Sequence, residues 1–402
     1  MVIVGGGPAG LSLACLVADR GLNVAVVDRQ QENVLIDPPA DGRDIALTHR
    51  SLRILSEMGV WGEVAARDMA PIRRAQVRNA NQSQLLNFDP QSAGRDALGY
   101  LVSNQILRRE IYRAATRWPN ISLFAGESVT KLLLDQSAAA VETTSGRVLS
   151  APLVVAADSR FSELRHMAGI GADMRDFGHL CIVCRLQHEM EHDGTAHEWF
   201  DVDQTLAVLP LNERTSSIVL TQPASVAART LARSPGDFAR DIEQRLDGRW
   251  GTMALVGERH AYPLVAVYAD RFATHRFALV GDAAVGMHPV TAHGFNFGLR
   301  GAEALAARVG AAAKAAGGDI GATSVLEGYA REHRLATLPL YLATNAIVRL
   351  YTDNTVPARF VRGGLLRVAD ALWPVKDFML RKLTEIDGGA AAARPGLNPT
   401  GS

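Results

Sequence analysis

"MVIVGGGPAGLSLACLVADRGLNVAVVDR", residues 1–29, reads as a strand, a glycine turn, a helix and a second strand. Gly5, Gly7 and Gly10 form a GxGxxG pattern, with Pro8 and Ala9 inside it, between β-branched residues and a helical stretch. The first glycine permits a tight turn, the second lets a phosphate approach the backbone, and the third lets helix pack on strand. A pyrophosphate would sit at the helix N-terminus, where free N–H groups and the helix dipole favour anions. Asp28 closes the second strand 18 residues after Gly10, near the place of a ribose-binding acid. Strands, glycines and acid together predict a dinucleotide-binding βαβ unit. NAD and FAD share this entrance, so the unit alone does not choose between them.

Moving outward, "DGRDIALTHRSLRILSEMGVW" (Asp41 to Trp61) is a turn followed by an amphipathic helix, with Leu52, Leu55 and Met58 at helical spacing. Arg43 lies in that turn, as a solvated charge or as a cation beside a pyrophosphate. A second helix over "LVSNQILRREIYRAATRW" starts at Ser103 or Asn104 as its cap. Short strands follow from Ile121, and "LVVAAD" ends a buried strand on Asp158 before "SRFSELRHMAGI" starts a helix. An acid at the carboxyl end of a buried strand is where open α/β sheets place ligand contacts. From about Phe177 to Tyr268 the pattern alternates as antiparallel strands, and "RFALVGDAA" then returns to a buried strand ending at Gly281 and Asp282.

These patterns predict an α/β chain with an α+β insert. Segments 1–70, 101–176 and 269–335 would form a Rossmann-like nucleotide domain, interrupted by a substrate domain of antiparallel sheet at 71–100 and 177–268. C-terminal helices would occupy 336–386, with a disordered tail over 387–402.

The 402 residues carry 42 acidic and 42 basic side chains, so bulk electrostatic binding of nucleic acid is not expected. Three cysteines, Cys15, Cys181 and Cys184, give no disulfide framework and fit a cytoplasmic setting. Cys181 and Cys184 have CxxC spacing, but a strand would point their thiols to opposite faces, and no second pair completes a metal site. The first motif begins at the second residue, which predicts no signal peptide. The apolar run Leu335 to Val348 has 14 residues and contains Pro339, too short for a membrane span of about 20.

"GDAAVGMHPVTAHGFNFG", Gly281 to Gly298, is too rich in glycine for an ordinary helix or strand. With "GGGPAG" and "AADSRFSELR" it resembles the group A flavoprotein monooxygenases, aromatic hydroxylases of the p-hydroxybenzoate hydroxylase fold. "GRDIALTHRSLRILSEMGVW", "HPVTAHGFNFGLRGAEALA" and "RFVRGGLLRVADALWPVKDFMLRKL" are similar to the ubiquinone-biosynthesis ring hydroxylases. "HPVTAHGFNFG" further resembles a less position-selective branch, the 5-demethoxyubiquinol 5-hydroxylases. The resemblance covers Val2 to about Ile386 and implies noncovalent FAD. Its contacts would be Gly5, Gly7, Pro8, Ala9, Gly10, Asp28, Arg43, Asn104, Arg108 and Val129. Asp158, Gly281, Asp282, Pro289, Gly294, Phe295 and Asn296 would complete them.

The helix opening at Gly294–Asn296 would turn its positive end toward the flavin and stabilise charge on the reduced ring. The family implies NAD(P)H as reductant, O2 as oxidant, a C4a-hydroperoxyflavin, and a prenylated phenol or quinol as acceptor. The cofactor carries that chemistry, so no acid–base triad is required, and none is visible. His288 lies near the reactive face, as a proton relay or as a structural residue. The sequence departs from the family at Ser159, Val285 and Ala292, which bear on NAD(P)H contact and flavin approach. Hydroxylation of another phenol, a NAD-dependent dehydrogenase and a silent flavin-binding partner are the alternative readings. Finally, Val361, Leu365, Val368, Leu372, Val375, Met379 and Leu383 recur at helical steps, and basic residues give their segment a net charge of +3. Such a stripe packs on the core or supports association with the inner membrane or a synthesis complex.

Overall fold

The computed structural model describes residues 1–79, 85–90, 95–201, 203–212, 214–287 and 293–352. His288, Pro289, Ala292, the 361–383 stripe and the tail lie outside the described residues.

Val2–Val4 is a fully buried strand, as a near-continuous β-branched run in a parallel sheet should be. It pairs in parallel with Val24–Asp28 on one side and Val154–Ala156 on the other. Ile121–Ala125 and Phe277–Leu279 extend the parallel sheet outward, and Ala273–Thr274 closes one edge antiparallel, giving six strands. Four sequence-distant segments therefore end side by side at one carboxyl edge. The Pro8–Ala18 helix covers the sheet, buried from Gly10 onward, and packs against the Gly294–Lys314 helix.

The other large element is an eight-stranded sheet. Its order runs Val285–Gly286, Met253–Ala269, Ala172–His188, Thr215–Pro223, Gln204–Pro210, Thr195–Asp201, Arg74–Asn79, Leu85–Phe88. The pairing of Thr195–Asp201 with Arg74–Asn79 is parallel; the other pairings are antiparallel. Ala172–His188 and Met253–Ala269, 17 residues each, pair along most of their length, with register shifts that bend the ribbon. These strands run through positions 176/177 and 268/269, where the composition changes. A small antiparallel sheet of Asp44–Leu47, Gly99–Ser103 and Ala70–Ile72 packs onto one face, through a cluster including Leu101, Leu86 and Phe88. Helices Ala224–Leu231 and Pro235–Arg245 cover the other face, around Ile182, Cys184, Phe238 and Trp250.

Cys181 and Cys184 point to opposite faces: Cys181 packs with Val183 and Leu264, and Cys184 with Ile182 and Leu186. Both are buried free thiols, and burial pushes each up to about 12. Three local expectations change. Ser103 occupies the cap position before Asn104–Thr116, but its side chain accepts no cap bond. The helix after Asp158 is only Glu163–Met167. Pro339 lies inside one helix, Thr323–Thr352, which runs through position 335/336 without a break.

Candidate cofactor and substrate site

The glycine turn is shaped by what cannot fit. Gly5 has φ +115°, and a Cβ there would lie 2.3 Å from the Ala157 carbonyl oxygen. At Gly10 a Cβ would lie 1.9 Å from the Gly5 carbonyl oxygen. Gly7 differs: a Cβ there meets no protein atom within 4 Å. Gly7 is also the N-cap of the Pro8–Ala18 helix and supplies no side-chain cap, so the first N–H groups face open space. Asp28 stands beside this opening, accepting from Gly6 N at 2.5 Å and Gln30 N at 2.7 Å.

The late glycine stretch closes against the same turn. Gly281, at φ +64°, would place a Cβ 2.8 Å from the Ala9 Cβ, and Gly298 would place one 3.4 Å from that same atom. The third glycine motif is therefore set against the first by close backbone approach. Asp282 accepts from Arg160 Nη2 at 2.9 Å. A Cβ on Gly294 would lie 3.9 Å from Asp282 Oδ1, so the Gly294–Lys314 helix begins beside this carboxylate. Phe295 packs against the core, and Asn296 locks the helix start to the small sheet. Its Oδ1 accepts from Thr48 N at 3.1 Å, and its Nδ2 donates to the Ala46 carbonyl at 2.8 Å.

Asp158 ends the neighbouring strand. Burial raises its pKa, partly offset by a hydrogen bond from Ser162, and its buried Oδ1 has no hydrogen-bond partner. Such an oxygen calls for a donor from a ligand. Below it, the fully buried Arg165 donates to the carbonyls of Arg160 and Ala283 at 3.1 and 3.0 Å, tying the two motifs together.

The 41–43 turn forms the third wall. Arg43 pairs with Asp41 at 2.6 Å and lies over the Tyr262 ring, 5.3 Å from its centroid. Asp41 also accepts from Asn104 Nδ2 at 2.7 Å, and Tyr262 donates its hydroxyl to the Asp41 carbonyl at 2.7 Å. Burial opposes charge on Arg43, but Asp41, with a further contribution from Asp282, holds its pKa above the ordinary value. Arg108 donates to Gln30 at 3.1 Å; burial lowers its pKa, while Asp41 and Asp28 oppose that shift. Val129 begins the strand after Glu127, whose N–H donates to the Asp28 carbonyl at 3.0 Å. Apart from Pro289 and the weaker candidate His288, which lie outside the described residues, the sequence-derived residues gather around the carboxyl edge of the parallel sheet. Arg160, Arg165 and Tyr262 join them. The first two lie in "DSRFSELR", where a cation after a strand-end acid was the available signal. Tyr262 left none, being 221 residues from Asp41.

The residues fit a flavin dinucleotide: an open backbone at Gly7 for phosphate, an acid at Asp28 for ribose, an orphaned oxygen at Asp158, and a second helix start beside Asp282. A family model described as FAD binding domain matches residues 1–337. The chain is 41% identical over 388 residues to ubiquinone hydroxylase UbiM of Neisseria meningitidis serogroup C, covering 96% of this chain and 84% of that protein. The chain belongs to the ubiquinone hydroxylase family of FAD-binding proteins. A second member, UbiL of Rhodospirillum rubrum, is 34% identical over 95% of this chain and 88% of its own. Among solved structures, p-nitrophenol 4-monooxygenase from Pseudomonas putida superposes with a TM-score of 0.74 at 20% identity, covering 95% of this chain and 97% of that one. This hydroxylase is an FAD-dependent monooxygenase. Arg160, which also donates to the Val265 carbonyl at 3.1 Å, ties the nucleotide motifs to the strand of the eight-stranded sheet that carries Tyr262.

Proposed function

We propose that this chain hydroxylates the aromatic ring of a ubiquinone precursor, using NAD(P)H and O2. The observation that carries the proposal is the 41% identity to a ubiquinone hydroxylase along 96% of the chain. FAD, when bound, would supply the redox chemistry, hydride acceptance from NAD(P)H and activation of O2 for transfer of one oxygen atom.

The protein's part is binding, orientation and exclusion of water. The Pro8–Ala18 N–H groups hold the pyrophosphate, with Arg43 and Arg108 as nearby cations. Asp28 would accept from ribose hydroxyls, and Asp158 and Asp282 from hydroxyls farther along the cofactor. Arg160 keeps Asp282 aimed, and Asn296 fixes the helix start whose dipole would favour negative charge on a flavin ring held there. Val129, Gly281, Gly294 and Phe295 complete the walls. By family resemblance, Pro289 and His288 are candidates for the reactive face. Segments 1–70, 101–176 and 269–335 carry the cofactor, and 71–100 with 177–268 cover the substrate.

Among the described residues no helix is long and apolar enough to cross a membrane. A prenylated quinol resides in the bilayer, so the enzyme meets it at the surface or through a partner. The test is quinone profiling of a strain deleted for this gene. The expected result is a precursor lacking one ring oxygen, restored to ubiquinone by the intact gene. A normal quinone profile in the deletion strain contradicts the proposal.

A further inference from the structure

We propose that Glu198 is the residue that accepts a hydrogen bond, and then a proton, from a ring hydroxyl of the bound quinol; the assignment rests on the function proposed above.

The placement follows from register. Val77, Glu198, Ala207, Val219, Val183 and His260 stand directly opposite one another across successive strands of the large sheet. Directly paired residues share a face. At the far end of this file sits the cofactor-side turn: a Cβ on Gly42 would lie 2.6 Å from His260 Cδ2 and 3.2 Å from Val183 Cγ2. Tyr262, which carries Arg43, is paired with Cys181 in the adjoining row. Glu198 therefore looks onto the same face as the 41–43 turn, about 14 Å from Val183 at ~4.8 Å per strand. The opposite face is closed, because His197 and Trp199 stack there and both meet the Trp250 ring edge-on.

Other charges on this face are paired. Arg185 bonds Asp44 of the overlying small sheet at 2.5 Å, Arg43 bonds Asp41, and Arg108 bonds Gln30. Tyr262 donates to the Asp41 carbonyl, and the Cys181 thiol, lifted to about 12 by burial, stays protonated. His260 stands on this face as well, and so does His179, two residues before Cys181, whose Nδ1 bonds the Phe177 carbonyl at 2.6 Å. Among the described residues nothing donates to the Glu198 carboxyl, and burial alone lifts its pKa to about 8. Yet the residue keeps some accessible surface. A half-buried carboxyl with no donor among the described residues is the arrangement expected when a ligand supplies the missing hydrogen bond.

The chemistry uses such a group. Attack of an electrophilic oxygen on a ring carbon is easier as a ring hydroxyl gives up its proton. A carboxylate with pKa near 8 lies closer to a phenol, at about 10, than an ordinary glutamate at about 4.3. The ring O–H bond breaks, a carboxyl O–H bond forms, and the freed electron pair becomes a ring carbonyl as the new C–O bond forms. The attacked carbon then loses its hydrogen as a proton, the ring re-aromatises, and the carbonyl oxygen recovers the proton from Glu198. Glu198 ends unchanged, and O2 and NAD(P)H remain the oxidant and reductant.

The test compares flavin-loaded wild type, Glu198→Gln and Glu198→Asp on a short-chain ubiquinol precursor lacking one ring oxygen, between pH 6.5 and 9.5. For wild type, product formation should rise with pH through about 8. Glu198→Gln should lose about 100-fold in product formation, lose that rise, and send more NAD(P)H electrons to hydrogen peroxide. Glu198→Asp should recover part of the rate together with a pH-dependent rise. Flavin content and melting temperature establish that each variant is folded. Wild-type rate and pH profile in folded Glu198→Gln overturn the assignment while leaving the function standing. A wild-type enzyme that hydroxylates no quinol overturns the function, and the assignment with it.

Discussion

At the nucleotide end, residues within a few positions of one another decide the geometry: Gly10 sits against the Gly5 carbonyl, and Gly6 donates to Asp28 at 2.5 Å. On the eight-stranded sheet, the file from Val77 to His260 is assembled from five strand pairings, and no pair of its members is informative by spacing. The cofactor site is thus encoded in motifs, and the substrate face in register. A local change should damage the first abruptly, whereas the second should respond through polar groups whose partners lie far away in sequence.

The sharpest break is expected within the glycine turn itself. Gly10→Ala drives a methyl to 1.9 Å from a backbone oxygen and should destabilise the protein by about 3 kcal/mol, with loss of flavin. Gly7→Ala meets no protein atom within 4 Å and should leave the apoprotein within about 1 kcal/mol of wild type while still weakening FAD binding. Thermal melts with flavin absorbance separate the two. Equal destabilisation would mean that the space at Gly7 is not kept for a ligand.

Acid should act next, on the large sheet. Burial, reinforced by Arg249, Arg78 and Arg74, lowers the His197 pKa from 6.5 to about 4. The unfolded chain takes up this proton near pH 6.5 and the folded chain does not until about pH 4, so the stabilisation is full above 6.5 and is lost as pH falls through that window. The loss is on the order of 3 kcal/mol by pH 4. Denaturant unfolding at several pH values should show a shallower decline in His197→Gln; an unchanged slope would remove His197 from this role.

Asp282→Ala removes an acceptor and strands Arg160, so flavin affinity should fall tenfold or more, read by titrating apoprotein with FAD. Unaltered affinity would exclude Asp282 from the cofactor's contacts. The smallest effect is expected at Tyr262→Phe, which deletes one hydrogen bond to the Asp41 carbonyl. It should cost about 1 kcal/mol in stability and raise KM for the quinol more than it lowers kcat.

Much of the nucleotide half was legible beforehand because its signals are short-range. The glycine spacing, Asp28 and the strand ending at Asp158 identify themselves within about thirty residues. Cys181 and Cys184 were readable because alternation along a strand needs no partner. Glu198, in "HEWFDV", could be assigned to a strand but not to a face, since that requires knowing that Val77 and Ala207 flank it. Arg160 carried a local signal as a cation after the strand-end acid, but its pairing with Asp282, 122 residues away, did not show in the spacing.

The central claim is that the cofactor site holds FAD and delivers one atom of O2 to a quinol ring. Purified holoprotein, a short-chain ubiquinol precursor, NAD(P)H and isotopically heavy O2, followed by mass spectrometry, address it directly. The expected product carries a single heavy oxygen on the ring, with one NAD(P)H consumed per product formed. A ring free of label, with NAD(P)H left unoxidised or its electrons recovered wholly as hydrogen peroxide, would contradict the account.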